Sequence, residues 1–210
     1  MESLLSGFVA MSIWEYIAVF FSLAYVILAI RQSLWCWPAA FVSTLIYTIL
    51  FWRGALLMES LLNFYYLVMA VYGYWQWIGG NVGQVTEKRI VSWSAKIHAR
   101  WILAAILLAI LIGYLSDTYT DAKLAYLDSF TTVFAIMTTY FVTQKVLENW
   151  LYWVVIDIAS IYMYWQLGYF PSMVLFILFT VFAIKGFITW QQEFKKLEQE
   201  QVPTESVSVS

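Results

Sequence analysis

The chain has 210 residues, of which 63% are hydrophobic, 20% aromatic and only 11% charged. Soluble domains are about 25% charged, so this composition excludes an ordinary soluble fold and predicts an integral membrane protein with several spans. The net charge of −2 provides no basic surface for nucleic acid, and single copies of Cys36 and His98 exclude internal disulfides and cysteine-based metal sites. Because the first residues are acidic and lack a cleavage site, we expect the first apolar segment to be retained as a span.

Seven apolar segments predict seven transmembrane helices, because a segment crossing lipid must satisfy its backbone hydrogen bonds internally. In chain order the predicted spans are 14–30, 34–52, 55–77, 99–115, 122–143, 149–166 and 171–191. Polar or glycine-containing breaks separate them. The tail of 192–210 is charged, then weakly hydrophobic, and is predicted to be a disordered cytoplasmic segment.

The distribution of positive charge predicts the orientation of these spans. With the amino end outside, eight of the eleven Lys and Arg residues fall on the cytoplasmic side, and only Arg53 and Lys123 fall outside. The remaining one, Lys185, lies within the seventh span, where its amine can reach the cytoplasmic interface. We therefore predict an outside amino terminus and a cytoplasmic carboxyl terminus.

A shift of 113 residues aligns the two ends of the sequence and carries the first three spans onto the last three. The matched pairs include Trp37 with Trp150, Trp52 with Trp165, Gly73 with Gly186, and Trp77 with Trp190. Because the shift crosses an even number of spans, the two units have the same orientation. The pattern predicts a 3+1+3 architecture: a first repeat over 1–78, a loop and linker helix over 79–121, and a second repeat over 122–191. The alternative is an accidental alignment of two aromatic-rich halves.

The sixth span carries an aromatic and acidic stripe. Spacings of three and four residues bring one set to a single helix face: Trp150, Trp153, Asp157, Ser160 and Tyr164. Because a carboxylate inside a span is costly, the stripe indicates a face that lines a substrate site near mid-membrane. The alternative is a polar contact between helices, with the Trp side chains as packing.

The third span has a similar face with Asn63, Tyr66 and Trp77. Asn63 offers both a donor and an acceptor for an amide or a hydroxyl group, or for a contact between helices. Aromatic faces with a buried carboxylate favour a flat, positively charged ring, because stacking and cation–π attraction act together with charge neutralisation. No Arg lies deep in a span, so a phosphorylated ligand is disfavoured.

Two strings of residues resemble those of a known family. They are NFYYLVMAVYGYWQW in the third span and ENWLYWVVIDIASIYMYW in the sixth, supported by G-x-x-x-W at Gly186 to Trp190. From about Trp14 to Gln191 the chain resembles the Pnu family of vitamin transporters, in its nicotinamide riboside branch.

The resemblance implies an all-α fold related to the SWEET sugar transporters, with two three-helix bundles joined by a linker helix, in a bacterial inner membrane. It implies import of nicotinamide riboside by facilitated diffusion, without a cofactor or enzymatic activity, and net uptake through a cytoplasmic ribosylnicotinamide kinase. A homo-oligomer is left open. The implied substrate-binding residues are Asn63, Tyr66, Trp77, Thr139, Gln144, Asn149, Trp150, Trp153, Asp157, Tyr164 and Trp190.

Other functions stay open at this point. Within the family, thiamine is the first alternative substrate, because it too is an aromatic cation. A retinal-type receptor or pump is a distant alternative that would use Lys185, with Asp128 or Asp157 as the counter-ion. An intramembrane enzyme is disfavoured, since the spans contain no nucleophile–base pair and no metal-ligating cluster.

Overall fold

The computed structural model describes residues 11–54, 57–79 and 88–201, and within these ranges the protein is all-helical. The helices are α1 (Ile13–Ile30), α2 (Cys36–Arg53), α3 (Leu57–Ile78), α4 (Ala95–Tyr119), α5 (Ala125–Thr143), α6 (Asn149–Leu167) and α7 (Phe170–Gln201). By length and composition, α1, α4 and α7 can each cross a membrane. The other four helices are 18 to 22 residues long.

The helix bounds match the predicted spans within four residues, except at the end of α7. There the helix runs to Gln201, so the prediction of a disordered tail from 192 is wrong over its first ten residues. Two local causes are visible: Glu193 and Lys196 form an ion pair of 3.7 Å along the helix, and Phe194 packs against a buried cluster. The rest of the predicted tail, 202–210, lies outside the described residues.

Equivalent pairs of helices pack together in the two halves of the chain. In the first half α2 packs against α1 and α3, and in the second half α6 packs against α5 and α7. Two contacts join the halves, one between α1 and α7 and one between α3 and α5. These two contacts are equivalent, because the shift of 113 residues carries α1 onto α5 and α3 onto α7. Helix α4 packs against α5 and presents Ala105, Ala109 and Gly113 as its buried residues.

The turns between α1 and α2 and between α5 and α6 have the same backbone geometry. Gln32 has φ of 55° and Lys145, which is 113 residues further on, has φ of 52°. The Gln32 N–H donates to the Ala29 carbonyl at 3.0 Å, and the Lys145 N–H donates to the Val142 carbonyl at 3.0 Å. Non-glycine residues adopt this left-handed conformation infrequently. Its recurrence at matched positions is a backbone counterpart of the sequence repeat.

Candidate functional site

Four indoles form a continuous cluster where the two halves meet. Trp37 and Trp77 make an edge contact with ring centroids 5.2 Å apart, and Trp150 and Trp190 make the matching contact at 5.4 Å. Trp77 and Trp190 then contact each other at 6.1 Å. We call the end of the helix bundle that holds these four residues the indole end.

Glycines allow two of these indoles to approach the neighbouring helix. A Cβ atom on Gly73 would lie 2.2 Å from the Trp37 ring, and a Cβ atom on Gly186 would lie 2.6 Å from the Trp150 ring. No side chain fits at such distances. The two glycines therefore serve close packing of α2 on α3 and of α6 on α7, as their matched positions in the sequence suggest.

The two central indoles also tie the halves together by hydrogen bonds. The Trp77 Nε1–H donates to the Val142 carbonyl at 3.2 Å, and the Trp190 Nε1–H donates to the Ala29 carbonyl at 3.2 Å. Trp77 and Trp190 are only 1% and 0% exposed. Their indole N–H groups are already bonded to backbone, so the observed contacts of these two predicted binding residues are packing contacts.

The two flanking indoles differ from the central pair in one respect. Trp37 and Trp150 are also buried, yet the Nε1–H of each finds no acceptor among the described residues. A buried donor without a partner is unfavourable by about 1–3 kcal/mol. The donors of Trp150, a predicted binding residue, and of Trp37, which the sequence analysis did not select, are therefore available to a bound molecule.

Asp157 is the most unusual polar residue of the predicted stripe. It lies in the middle of α6 with 2% of its surface exposed. Within the described parts of the chain, no group donates a hydrogen bond to its carboxylate and no cation pairs with it. A carboxyl group at this depth of a membrane helix marks a candidate functional site.

Helices α3, α6 and α7 contribute aromatic residues that pack against the buried clusters or against each other. Trp153, one turn before Asp157, packs against both buried apolar clusters, and Tyr66 of α3 packs against one of them. Tyr164 stacks on Phe176 with centroids 5.3 Å apart. The structure thus brings predicted residues of α3 and α6 against a common core.

The remaining predicted binding residues hydrogen-bond close to their own positions. The Asn63 Nδ2 donates to the Glu59 carbonyl at 2.9 Å, and the Thr139 Oγ1 donates to the Ala135 carbonyl at 2.8 Å. The Asn149 Nδ2 donates to the Val146 carbonyl at 2.7 Å, which leaves its buried Oδ1 without a donor in the described chain. The amide oxygen of Asn149 is thus the unused polar atom among them.

Gln144, the last predicted binding residue, belongs to a polar network at the indole end. Its Oε1 accepts a hydrogen bond of 2.6 Å from the Lys88 amine, and its Nε2 donates to the Tyr72 hydroxyl at 3.3 Å. The sequence analysis selected neither partner, because Lys88 lies in a loop and comes close to α5 only in the folded chain. The binding roles of all eleven residues stay predictions.

His98 forms a second polar contact set at the indole end. The predicted fourth span, 99–115, leaves His98 in the preceding loop, whereas in the structure α4 begins before it and its side chain is only 12% exposed. His98 Nε2 lies 3.4 Å from Glu148 Oε2, and its Nδ1 lies 2.9 Å from the Tyr152 hydroxyl. Ser92 also hydrogen-bonds Glu148. These contacts fasten α4 to the start of α6, and no cluster of three metal-ligating residues occurs among the described residues.

The chain is similar in sequence and in fold to known membrane transporters. A family model described as nicotinamide mononucleotide transporter matches residues 12–192. The crystal structure of the vitamin B3 transporter PnuC superposes with a TM-score of 0.71 at 17% identity, covering 87% of this chain and 82% of that chain. A curated relative, the riboflavin/roseoflavin transporter RibM of Streptomyces davaonensis, is 24% identical over 167 residues, covering 78% of this chain and 77% of the relative.

The match to the family model extends over most of the chain, and the membrane-compatible helices and the shared fold are consistent with it. A retinal-type receptor is thereby set aside, and the resemblance seen in the sequence is confirmed. The chain belongs to the nicotinamide mononucleotide transporter family, and it is an integral membrane protein of the Pnu vitamin-transporter type.

Proposed function

We propose that the protein imports nicotinamide riboside by facilitated diffusion. The observation that carries this proposal is Asp157, a buried carboxylate without a partner among the described residues, on the same helix face as Trp153. Nicotinamide riboside has a flat pyridinium ring with a fixed positive charge. An indole stacks on such a ring, and the carboxylate neutralises it.

The architecture we propose for transport is two three-helix repeats, 1–78 and 122–191, joined by 79–121, with the amino end outside. The matched turns at Gln32 and Lys145 support it, as do the matched bonds of Trp77 and Trp190. In this orientation the indole end is cytoplasmic. The two repeats would rock about a site between them and expose it alternately to each side.

The substrate site we propose centres on α6 and α3. Asp157 and Trp153 would hold the pyridinium ring, and Tyr66 would complete the aromatic wall. The ribose and carboxamide need donors and acceptors, and the unpaired Trp150 N–H and the Asn149 amide oxygen suit them. Asn63, Thr139, Tyr164 and Gln144 remain candidates in the surrounding shell.

The charge of the site favours a ligand without a phosphate group. Helices α6 and α3 provide a carboxylate and no Arg or Lys side chain to the site we propose. The cations Lys88, on Gln144, and Lys145, 4.5 Å from the Trp77 ring centroid, lie at the indole end. Net uptake would follow when a cytoplasmic ribosylnicotinamide kinase adds phosphate, because the product then no longer fits. The bacterial inner membrane is the location that this role requires.

Titration calorimetry on the purified protein tests the substrate. We expect nicotinamide riboside to bind at least about tenfold more tightly than nicotinamide mononucleotide, because a phosphate would bring negative charge near Asp157. Thiamine, the other aromatic cation, should bind with intermediate affinity. Equal or tighter binding of the mononucleotide would contradict the proposal.

Riboflavin is a second candidate, because the curated relative RibM is a riboflavin/roseoflavin transporter. Its ring system is flat and aromatic like a pyridinium, yet it is uncharged. It would use the aromatic wall and leave Asp157 without a counter-ion. Including riboflavin in the same titration separates the two, since tight binding of riboflavin alone would replace nicotinamide riboside as the substrate.

A further inference from the structure

Two amines link the halves of the chain at the indole end. The Lys145 Nζ donates to the Gln32 Oε1 at 3.3 Å and so links the turns before α6 and α2, whereas Lys88 acts between α3 and α5. The Lys88 Nζ donates to the Gln76 Oε1 at 3.1 Å and to the Gln144 Oε1 at 2.6 Å. Gln76 lies in the last turn of α3, and Gln144 caps the carboxyl end of α5. A single side chain from the loop therefore spans the contact between α3 and α5.

Tyr72 fixes the orientation of both amide groups. Its hydroxyl lies 2.7 Å from the Nε2 of Gln76 and 3.3 Å from the Nε2 of Gln144. Because each Nε2 is directed to the phenol, each Oε1 is directed to the Lys88 amine. The four side chains make a closed arrangement in which every amide group has a partner.

The equivalent contact between α7 and α1 has no such arrangement. The shift of 113 residues carries Gln76 to Thr189 and Gln144 to Arg31. The Thr189 hydroxyl donates to the Lys185 carbonyl within its own helix at 2.9 Å, and Arg31 is exposed. The amine bridge is therefore a feature of one of the two matched contacts rather than a part of the common scaffold.

We propose that Lys88 is a latch that holds α3 against α5 at the indole end, and that its release is a step in opening that end for transport. The proposal rests on the alternating-access function proposed above. Its acceptors are amide oxygens, and a bond between an ammonium group and an amide is directional yet weaker than an ion pair. Such a bond can hold one conformation and still break within a transport cycle.

The latch is tested by a distance measurement on the purified full chain. Spin labels are placed at two exposed positions near the indole end, Ile78→Cys on α3 and Leu151→Cys on α6, in a Cys36→Ala background. In Lys88→Met we expect the population with the longer distance to rise about three- to tenfold, because the N–H donors to both amide oxygens are lost. Arg89→Gln is the matched control, since it removes the neighbouring exposed charge, and it should leave the distribution unchanged.

A second variant should shift the spin-label distances toward the shorter, latched population. Gln76→Glu places a carboxylate on the Lys88 amine, so the longer-distance population should fall below that of the parent. If Lys88→Met does not fold, Gln76→Glu and Lys88→Arg still test the latch. Lys88→Arg keeps the donors and should keep the short distance. Identical distributions in Gln76→Glu and the parent, or in Lys88→Met and the parent, would overturn the latch.

Transport measurements in proteoliposomes separate this proposal from the one on which it rests. If the parent transports nicotinamide riboside and Lys88→Met leaves the distances unchanged, the latch is wrong and the proposed function stands. If the parent transports none of the tested vitamins and Lys88→Met still lengthens the distance, the substrate is wrong and the latch stands.

Discussion

Helices α2 and α6 occupy matched positions in the two halves and differ in chemistry. Both begin with an indole that packs on a glycine, Trp37 on Gly73 and Trp150 on Gly186. Further along the helices, the position of Asp157 corresponds to Thr44 of α2. The Thr44 hydroxyl donates to the Ala40 carbonyl at 2.8 Å and so satisfies itself, whereas the Asp157 carboxylate has no partner among the described residues.

The difference separates what the repeat provides from what the second half adds. The indoles, the glycines and the left-handed turns recur because both halves must pack in the same way. Trp153 and Asp157 do not recur, since the matching residues of α2 are Ala40 and Thr44. In the site we propose, the charged group and its neighbouring indole therefore come from the second half, while α3 of the first half contributes Tyr66 to the aromatic wall.

The largest effect should come from removing the charge on α6. Asp157→Asn keeps the shape of the side chain, and we expect it to weaken binding of nicotinamide riboside about 10- to 100-fold, because the ring loses its counter-ion. The matched change in α2, Thr44→Val, removes a hydroxyl that bonds only to its own helix and should leave binding unchanged. Titration calorimetry on both variants checks this.

A control ligand sharpens the comparison. Riboflavin is uncharged, so any binding of riboflavin should be the same in Asp157→Asn and the parent. Equal losses of affinity in Asp157→Asn and Thr44→Val would mean that the two matched helices contribute alike, which would contradict a charged site on α6.

Substitution of the matched glycines should affect both halves alike, with similar losses of stability, in contrast to the one-sided effect expected for Asp157 and Thr44. Gly73→Ala and Gly186→Ala each place a methyl group into an indole, and we expect each to lower the free energy of unfolding by about 1–3 kcal/mol. Gly73→Ala should be the worse of the two, because its methyl group would lie 2.2 Å from the Trp37 ring against 2.6 Å for Trp150. Thermal unfolding in detergent, followed by Trp fluorescence, measures both.

Gly113→Ala is a useful reference for these two. Its Cβ atom would lie 2.7 Å from the Tyr126 ring, at the contact of α4 with α5 and outside the repeated scaffold. If one repeat glycine tolerated alanine without loss while the other did not, the symmetry of the scaffold would be wrong.

The sequence predicted the helices and the matched positions because both depend on local patterns. Apolar length defines a span, and a repeated Trp or Gly is visible without a structure. Whether an indole lines a site or packs is not a local property. Trp77 and Trp150 belong to equally aromatic faces, and only the folded chain reveals that the N–H of Trp77 bonds to Val142 while that of Trp150 is unpaired.

The polar contacts at the indole end were not predictable for a related reason. Lys88 and Gln144 are separated by 56 residues, and no periodicity relates a loop lysine to a helix cap. Likewise His98 bonds to residues of α6 that lie far along the chain. Pairs of this kind depend on how the helices pack, which hydrophobic patterns alone do not determine.

The smallest expected effect is a pH dependence of the transport rate. It arises at the contact between α3 and α5, which contains Lys88, and not at the matched contact between α7 and α1. Partial burial, with a smaller contribution from the nearby Lys145, lowers the pKa of Lys88 to about 8 in the latched form. When the latch opens, the amine reaches water and its pKa returns to about 10.5. Between these values the open form holds the proton more tightly, so raising the pH favours the latched form, in which the neutral amine can still donate to an amide oxygen.

We therefore expect transport by the parent to slow about two- to fivefold between pH 7 and pH 9, since the amine is only half-buried and solvent reduces the full effect. Lys145 and the Tyr72 hydroxyl also face this contact, and both are retained in Lys88→Met. In Lys88→Met, the part of the decrease in transport rate that Lys88 causes between pH 7 and pH 9 should therefore disappear. Any part that Lys145 or Tyr72 causes should remain. Proteoliposomes buffered at each pH give the two rates, and a Lys88→Met profile identical to that of the parent would assign the dependence to a group other than the latch.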